Sequence, residues 1–133
     1  MARRRSIQGV TASGEGAPTD TLDALKVSLR RFAAKRDWDQ FHSPKNLAIA
    51  LSVEASELLE HFQWVTEAES RRLDRYKLNQ VGDELADVLI YLVRLADKLE
   101  IDLLGAAVRK IRKNAKKYPP GKVRGSSKKY TEM

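Results

Sequence analysis

Two pairs of acidic residues, Glu54 with Glu57 and Glu84 with Asp87, are each spaced three positions apart in segments otherwise rich in Leu, Ile, Val and Ala. Residues at this spacing project from the same side of an α-helix. A carboxylate on an apolar helical face loses hydration, which is unfavourable unless a cation or hydrogen-bond donors replace the water. If the two helices pack antiparallel, the pairs face one another, and the sequence predicts a metal site.

The types of side chain favour particular metals. Hard carboxylate oxygens suit Mg²⁺ or Mn²⁺, whereas structural zinc normally recruits Cys or His. The chain has no Cys, and its only histidines are His42 and His61. A di-iron bundle also places acids inside helices, but its Glu-x-x-His signature is missing from both pairs. A single acidic pair on a helix is most often a solvated surface, so the metal hypothesis depends on there being two pairs.

The elements that must position these acids are all predicted to be helices. Apolar spacing and capping signals predict helices over 19–36, from Ser43-Pro44 to about Phe62, briefly after Thr66, over 76–99 and over 102–117. The predicted fold is therefore all-α, a four-helix bundle-like domain with one extra short helix. Apolar residues surround much of both acid-bearing helices, which favours a homo-oligomer.

A length of 133 residues suits one domain. We predict a flexible leader at 1–18, a helical domain at 19–118 and a basic C-terminal tail at 119–133. No apolar run is long enough for a membrane span and no secretory signal follows the first residues, so the predicted location is cytoplasmic. Most of the formal net charge of +7 lies in the two terminal segments rather than along a groove, which argues against a stable nucleic-acid partner.

Several motifs occur in a characteristic order along the chain. They are RDWDQFH at 36–42, EASEL at 54–58, FQW at 62–64, ELADVLIYL at 84–92, KYP at 117–119 and SSKKYTE at 126–132. In this order they resemble the motifs of MazG-like nucleotide pyrophosphohydrolases, and most of all the dCTP pyrophosphatase branch of that family. The resemblance covers about residues 20–133.

The resemblance implies an all-α homotetramer, built as a dimer of dimers, that uses Mg²⁺, with Mn²⁺ as the alternative. It implies hydrolysis of a deoxynucleoside triphosphate, dCTP or a modified dCTP, to monophosphate and pyrophosphate by a metal-activated water at the α-phosphate. The implied metal ligands are Glu54, Glu57, Glu84 and Asp87. The implied nucleotide-binding residues are Trp38, His42, Trp64 and Tyr91 around the base and sugar, with Lys110, Asn114 and Tyr118 near the phosphates.

Two roles follow from residue chemistry beside the resemblance. A carboxylate must take the proton of the attacking water, and Glu57 is the first candidate and Glu60, three residues further along the helix, the second. Stacking on tryptophan gives roughly 1 to 3 kcal/mol per base and is indifferent to base identity. Discrimination between bases therefore falls to polar groups such as His42 and Asn114.

Other functions are compatible with the same sequence. A broad-specificity enzyme would use the same chemistry on several normal or damaged nucleotides. A helical regulatory module would bind a structural metal without turnover. A nucleic-acid binder would act through the basic terminal segments, and its affinity would fall with salt.

Overall fold

The computed structural model describes residues 21–132, and the predicted leader at 1–18 lies outside this range. The α-helices are α1 (Leu22–Lys35), α2 (Pro44–Glu60), α3 (Glu67–Ser70), α4 (Arg75–Lys98), α5 (Leu103–Lys117) and α6 (Pro120–Val123), with 3-10 turns at Asp39–Phe41 and Tyr130–Glu132. None of the described residues lies in a strand, and the all-α prediction is confirmed. Within the same range, no helix has both the length and the apolar character needed to span a bilayer.

The helix starts follow the capping signals of the sequence. Ser43 Oγ accepts a hydrogen bond at 3.2 Å from the backbone N–H three residues on, and Asp74 Oδ1 does the same at 2.8 Å. At α3, Thr66 and Glu69 form a reciprocal capping box. These bonds satisfy backbone donors that the first turn of a helix leaves without partners. α2 ends at Glu60, slightly before the predicted end.

α1 and α4 end in the same way, on a residue in the left-handed conformation that is not glycine. These residues are Asp37, with φ of 53°, and Glu100, with φ of 54°. In each case the backbone N–H of the next residue bonds back to the last turn of the helix, at 3.0 Å for Trp38 and 2.9 Å for Ile101. This is the Schellman arrangement, which reverses the chain direction sharply. After α1 it returns Trp38 onto Phe32, with ring centroids 5.7 Å apart.

α4 is the central helix, and both α1 and α2 pack along it. The residues at the two ends of α2 show that α2 and α4 are antiparallel. His42, just before α2, contacts Arg94 late in α4, whereas His61, just after α2, lies beside Lys77 early in α4. The buried apolar side chains of this packing are Ala33, Leu47, Val81, Val93 and Ala96.

α5 contributes little to the packing of a single chain. All its residues from 107 to 117 are exposed, and so is an apolar stripe of Leu104, Val108 and Ile111, the last 67% exposed. The main packing within one chain therefore joins α1, α2 and α4, and the predicted four-helix bundle is not confirmed. α2 and α4 also expose large apolar side chains on the surfaces that face away from this packing, among them Ile49, Val53, Leu59, Leu85 and Leu89.

Candidate metal and nucleotide-binding site

Three carboxylates converge where the middle of α2 faces α4. Glu54 projects from α2, Glu84 and Asp87 project from α4, and one oxygen of each lies within 4.8 Å of the other two. Antiparallel packing causes this convergence, because it sets an acid of one helix opposite the i,i+3 pair of the other. All three side chains are half-buried. We call these three residues the acid cluster, and its oxygens are of the kind that bind hard divalent cations.

The surroundings of Glu54 disfavour the ionised form of its carboxyl group. Burial raises the pKa of Glu54, and a hydrogen bond with Glu57 and the charges of the neighbouring acids raise it further. A carboxyl group that resists ionisation beside other carboxylates is stabilised in its ionised form when a cation joins them. Glu57 is exposed. The fourth predicted acid therefore borders the cluster on its solvent side, in contact with Glu54.

Tyr91 lies one turn after Asp87 on the same face of α4. Burial raises the pKa of its hydroxyl, and the charges of Glu54 and Asp87 raise it further. The phenol is therefore neutral at ordinary pH and close to the acid cluster. A neutral phenol can donate a hydrogen bond to an anionic ligand there.

A histidine and a lysine lie beside Glu84. His61 Nε2 is 3.6 Å from Glu84 Oε1, and Lys77 Nζ is 3.3 Å from His61 Nδ1. An ammonium group only donates, so Nδ1 accepts this bond and Nε2 carries the hydrogen that points toward the carboxylate. At 3.6 Å this separation is longer than a hydrogen bond, so His61 is a polar neighbour of one oxygen of the acid cluster.

A second polar group surrounds His42, at the other end of the α2 and α4 packing. Arg94 Nη2 lies 3.2 Å from His42 Nδ1 and 2.9 Å from Asp39 Oδ1. Lys98 Nζ reaches the same oxygen of Asp39 at 3.0 Å. Trp38 lies next to this group, its ring centroid 6.3 Å from that of His42.

The two tryptophans predicted to bind the base flank α2. Trp38 is 44% exposed and Trp64 is 88% exposed. An indole ring that is open to solvent has a free face for stacking, which a ring in the core lacks. His42 lies beside Trp38, whereas Trp64 follows α2 at the opposite end of that helix, so a single chain does not bring the two rings together.

The remaining predicted residues lie away from the main packing. Lys110 and Asn114 lie on α5 and are exposed, and Tyr118 ends α5 with its ring edge-on to Tyr130, the centroids 6.3 Å apart. Because α5 takes little part in the packing of a single chain, Lys110 and Asn114 face solvent. Glu60, the second candidate for the proton acceptor, is exposed at the end of α2 and lies outside the acid cluster.

The site can now be compared with known proteins. The sequence model of the MazG-like family matches residues 49–133. The chain belongs to the MazG-like family. Among relatives of this MazG-like protein, the human protein named dCTP pyrophosphatase 1 is 43% identical over 119 residues, covering 88% of this chain and 70% of its own length. The protein of the same name from Rattus norvegicus is 42% identical over the same coverage.

The structural comparison agrees with the family. A pyrophosphatase from Archaeoglobus fulgidus, known from its crystal structure, superposes on this MazG-like chain with a TM-score of 0.70. The two share 43% sequence identity, and the match covers 74% of this chain and 92% of the archaeal one. The fold of this chain is therefore also that of a solved protein described as a pyrophosphatase.

Lys77 and Arg94 are among the residues of this MazG-like site that were not predicted from the sequence, as are His61, Asp39 and Lys98. Lys77, beside His61, has no pattern that marks it, because its contact joins residues 16 positions apart. Arg94 had a usable signal, since it lies seven residues after Asp87 and thus on the same face of α4. A charged residue that continues an otherwise acidic and half-buried helical face is a candidate for the site.

Proposed function

We propose that this MazG-like protein hydrolyses dCTP, or a modified dCTP, to the nucleoside monophosphate and pyrophosphate. The observation that carries the proposal is the convergence of Glu54, Glu84 and Asp87 within 4.8 Å. It occurs in a chain 43% identical to a protein named dCTP pyrophosphatase 1. Carboxylates and a triphosphate repel each other, so an arrangement of this kind acts on the nucleotide only with cations between them.

The cation we propose is Mg²⁺, with Mn²⁺ as the alternative, held by the acid cluster and by Glu57. The donor set fits this choice because it consists of carboxylate oxygens. The raised pKa of Glu54 supports it too, since burial and then the neighbouring acids disfavour the ionised carboxylate, and a bound divalent cation would stabilise that form. When bound, the ion supplies positive charge that offsets the triphosphate and makes a water molecule more acidic.

The chain's own side chains then handle the proton and the leaving group. The water oxygen forms a bond to the α-phosphorus while the bond from that phosphorus to the oxygen bridging to the β-phosphate breaks. Glu57, exposed at the edge of the acid cluster, takes the proton of the water, with Glu60 as the second candidate. Pyrophosphate leaves with the bonding electron pair, and Tyr91 donates a hydrogen bond to a phosphate oxygen.

The nucleoside would bind beside α2 and the late part of α4. Trp38 lies at this end of α2 and offers an exposed ring face for stacking the base. Trp64, also exposed, follows α2 at its other end, about 25 Å along the helix, so we propose that it reaches a base only from a neighbouring chain of the assembly. His42, adjacent to Trp38, is the polar group placed to contact the base edge. We propose that three residues of α5 and its end contact the phosphates: Lys110, Asn114 and Tyr118.

A homotetramer built from two dimers is part of the proposal. The apolar stripe of α5 and the outward faces of α2 and α4 are exposed in one chain, and contiguous apolar surface of this extent is typical of protein interfaces. Association would bring α5, and with it Lys110 and Asn114, next to a helix pair that carries an acid cluster. We propose no stable nucleic-acid or membrane partner, and a cytoplasmic enzyme acting on free deoxynucleotides.

A nucleotide panel tests the reaction. The purified protein is incubated with Mg²⁺ and each deoxynucleoside and ribonucleoside triphosphate, and the products are resolved. We expect dCTP to give dCMP and pyrophosphate faster than the other nucleotides react. Similar rates for all nucleotides would indicate a broad-specificity enzyme, release of orthophosphate would contradict cleavage at the α-phosphate, and no turnover would favour the regulatory module.

Light scattering on a sizing column tests the assembly. We expect the mass of four chains for the native protein and a smaller mass for Ile111→Asp, which places a charge in the apolar stripe of α5. The matched control is Lys113→Asp, two residues away and so on the opposite side of the helix. A monomeric native protein, or equal effects of the two substitutions, would contradict the proposed interface.

A further inference from the structure

Arg94 is a buried cation whose hydrogen bonding is incomplete. It is 3% exposed, and its Nε has no hydrogen-bond partner among residues 21–132. Removing a guanidinium from water is costly, and replacing a buried ion by an apolar side chain of similar size is often neutral or stabilising. Stability therefore gives little reason for an arginine at this position, and its contacts offer another.

The contacts of Arg94 converge on the turn that carries His42. One nitrogen, Nη2, bonds to Asp39 Oδ1 at 2.9 Å and to His42 Nδ1 at 3.2 Å. A guanidinium has only donors and does not lose its proton in proteins. His42 Nδ1 must therefore accept, and the ring must be the neutral form with its hydrogen on Nε2.

Burial, and after it the nearby cations, favour the neutral form of His42. Burial lowers the pKa of His42, and the nearby charge of Arg94 lowers it further. The other charged groups that face it are Asp39 on the turn, which raises the pKa, and Lys98 on α4, which lowers it. His42 therefore presents one N–H donor at neutral pH, and its outward direction is set by the nitrogen that Arg94 occupies.

We propose that Arg94 is a positioning residue that holds His42 in the Nε2–H tautomer, so that His42 donates a hydrogen bond to an acceptor on the base of the bound nucleotide. This inference depends on the proposed function. Trp38, the proposed stacking ring, is 6.3 Å from the His42 ring. Arg94 follows Asp87 by seven residues, or about 10 Å along the helix axis. His42 thus lies near the base and away from the atoms that react.

The acids around Arg94 would stay paired without it, so the inference can be tested in a folded protein. Asp39 would keep Lys98 at 3.0 Å, and Asp97 would keep Arg30, whose Nε donates to Asp97 Oδ2 at 2.7 Å. Arg94→Met fills much of the same space and leaves no acid without a cation. We expect it to fold with a melting temperature close to that of the native protein.

The first test reads the tautomer directly, on the nucleotide-free protein. With ¹⁵N-labelled histidine, long-range ¹H–¹⁵N spectra at pH 7 distinguish hydrogen on Nε2 from hydrogen on Nδ1. Only two histidines are present, and His61→Gln assigns their signals. We expect His42 to be Nε2–H in the native protein and a mixture of tautomers, with a raised pKa, in Arg94→Met.

Lys98→Met is the matched control, since it also removes a cation from Asp39 Oδ1 but does not touch His42. We expect it to keep the Nε2–H form. A native His42 that is protonated or Nδ1–H at pH 7 would overturn the proposal. So would an Arg94→Met protein in which the Nε2–H form persists unchanged.

The second test measures the consequence for the substrate. We expect Arg94→Met to lower kcat/KM for dCTP by about tenfold, the effect of one misplaced hydrogen bond. We also expect a reduced preference for dCTP over dUTP, because N3 of cytosine accepts a hydrogen bond from His42 whereas N3 of uracil carries a hydrogen. An equal loss for all nucleotides, accompanied by a lowered melting temperature, would indicate a structural role and overturn the proposal. If the native protein turns over no nucleotide, the proposed function fails, and the spectra alone decide whether Arg94 holds His42.

Discussion

Each end of the contact between α2 and α4 has a histidine beside a cationic side chain, but the two ends differ in charge balance. At each end a histidine accepts a hydrogen bond on Nδ1 from a cationic side chain, at 3.3 Å from Lys77 to His61 and at 3.2 Å from Arg94 to His42. The acid cluster has a net excess of negative charge and calls for an added cation. Around Arg94, cations and carboxylates alternate and neutralise one another. One end therefore has a charge that a bound cation would balance, whereas at the other end the side chains balance one another.

The largest expected effect comes from breaking the acid cluster. Glu84→Gln removes the charge of one proposed oxygen ligand, and we expect kcat/KM for dCTP to fall by about 10³-fold or more at millimolar Mg²⁺. The matched control is Asp83→Asn, an exposed acid next in sequence that lies outside the cluster. Activity is measured across a Mg²⁺ titration. If both variants lose activity equally, the acid cluster has no special part in the reaction.

Glu57 should matter less than the cluster beside it. Because a positioned carboxylate that accepts a proton contributes roughly 10² to 10⁴ in rate, we expect Glu57→Gln to lower kcat by about 10²-fold. Glu60→Gln, which changes the exposed rival on the same helix, should have little effect. Single-turnover assays separate the chemical step from product release. The reverse order of the two variants would reassign the proton acceptor to Glu60.

Substitution of His61 tests whether the polar neighbour of Glu84 contributes to metal binding. Groups that orient a metal ligand typically change metal affinity by about 10- to 100-fold when removed. We expect His61→Gln to raise the Mg²⁺ concentration for half-maximal activity by about tenfold and to leave kcat at saturating Mg²⁺ nearly unchanged. Lys77→Met, which frees His61 Nδ1, should shift it in the same direction by less. A fall in kcat with an unchanged Mg²⁺ requirement would contradict this role.

The smallest expected effects concern how stability depends on pH at Glu54, in the acid cluster, and at Asp97, beside Arg94. In the folded state the pKa of Glu54 is raised, so its ionisation costs stability, and this cost is absent at low pH and complete at neutral pH. The pKa of Asp97 is lowered, chiefly by its hydrogen bond from Arg30, so its contribution is complete at neutral pH and lost as the pH falls through the folded value.

Substitutions at these two acids should therefore act in opposite directions. In metal-free buffer at pH 7 we expect Glu54→Gln to raise the melting temperature by about 2 to 4 °C and Asp97→Asn to lower it by a similar amount. The gain at Glu54 should vanish as the pH falls toward about 4, whereas the loss at Asp97 should persist to lower pH. Saturating Mg²⁺ should abolish the gain at Glu54. Shifts of the same sign would show that the two ends do not differ in charge balance.

Local signals in the sequence predicted much of this molecule. Ser43 and the Thr66 capping box predicted the starts of two helices, because a cap involves residues three positions apart. The acid pairs could be recognised because helical spacing places their members on one face. The contact of Arg94 with His42 joins residues 52 positions apart, and no local pattern specifies it. The place of α5 could not be predicted for another reason. Its apolar stripe is exposed in one chain, so its packing depends on surfaces outside that chain.

The two residues with left-handed backbone that end α1 and α4, Asp37 and Glu100, differ in how far their side chains offset the strain of that conformation. A side chain in that conformation costs roughly 1 to 2 kcal/mol that glycine does not pay. At Asp37 this cost is partly offset, because its side chain accepts a hydrogen bond from Gln40 at 3.0 Å. That bond stabilises the turn that contains Trp38. The side chain of Glu100 makes no such bond with any other residue of 21–132. We therefore expect Glu100→Gly to raise the free energy of unfolding without changing activity, because Glu100 lies outside both the acid cluster and the group around His42.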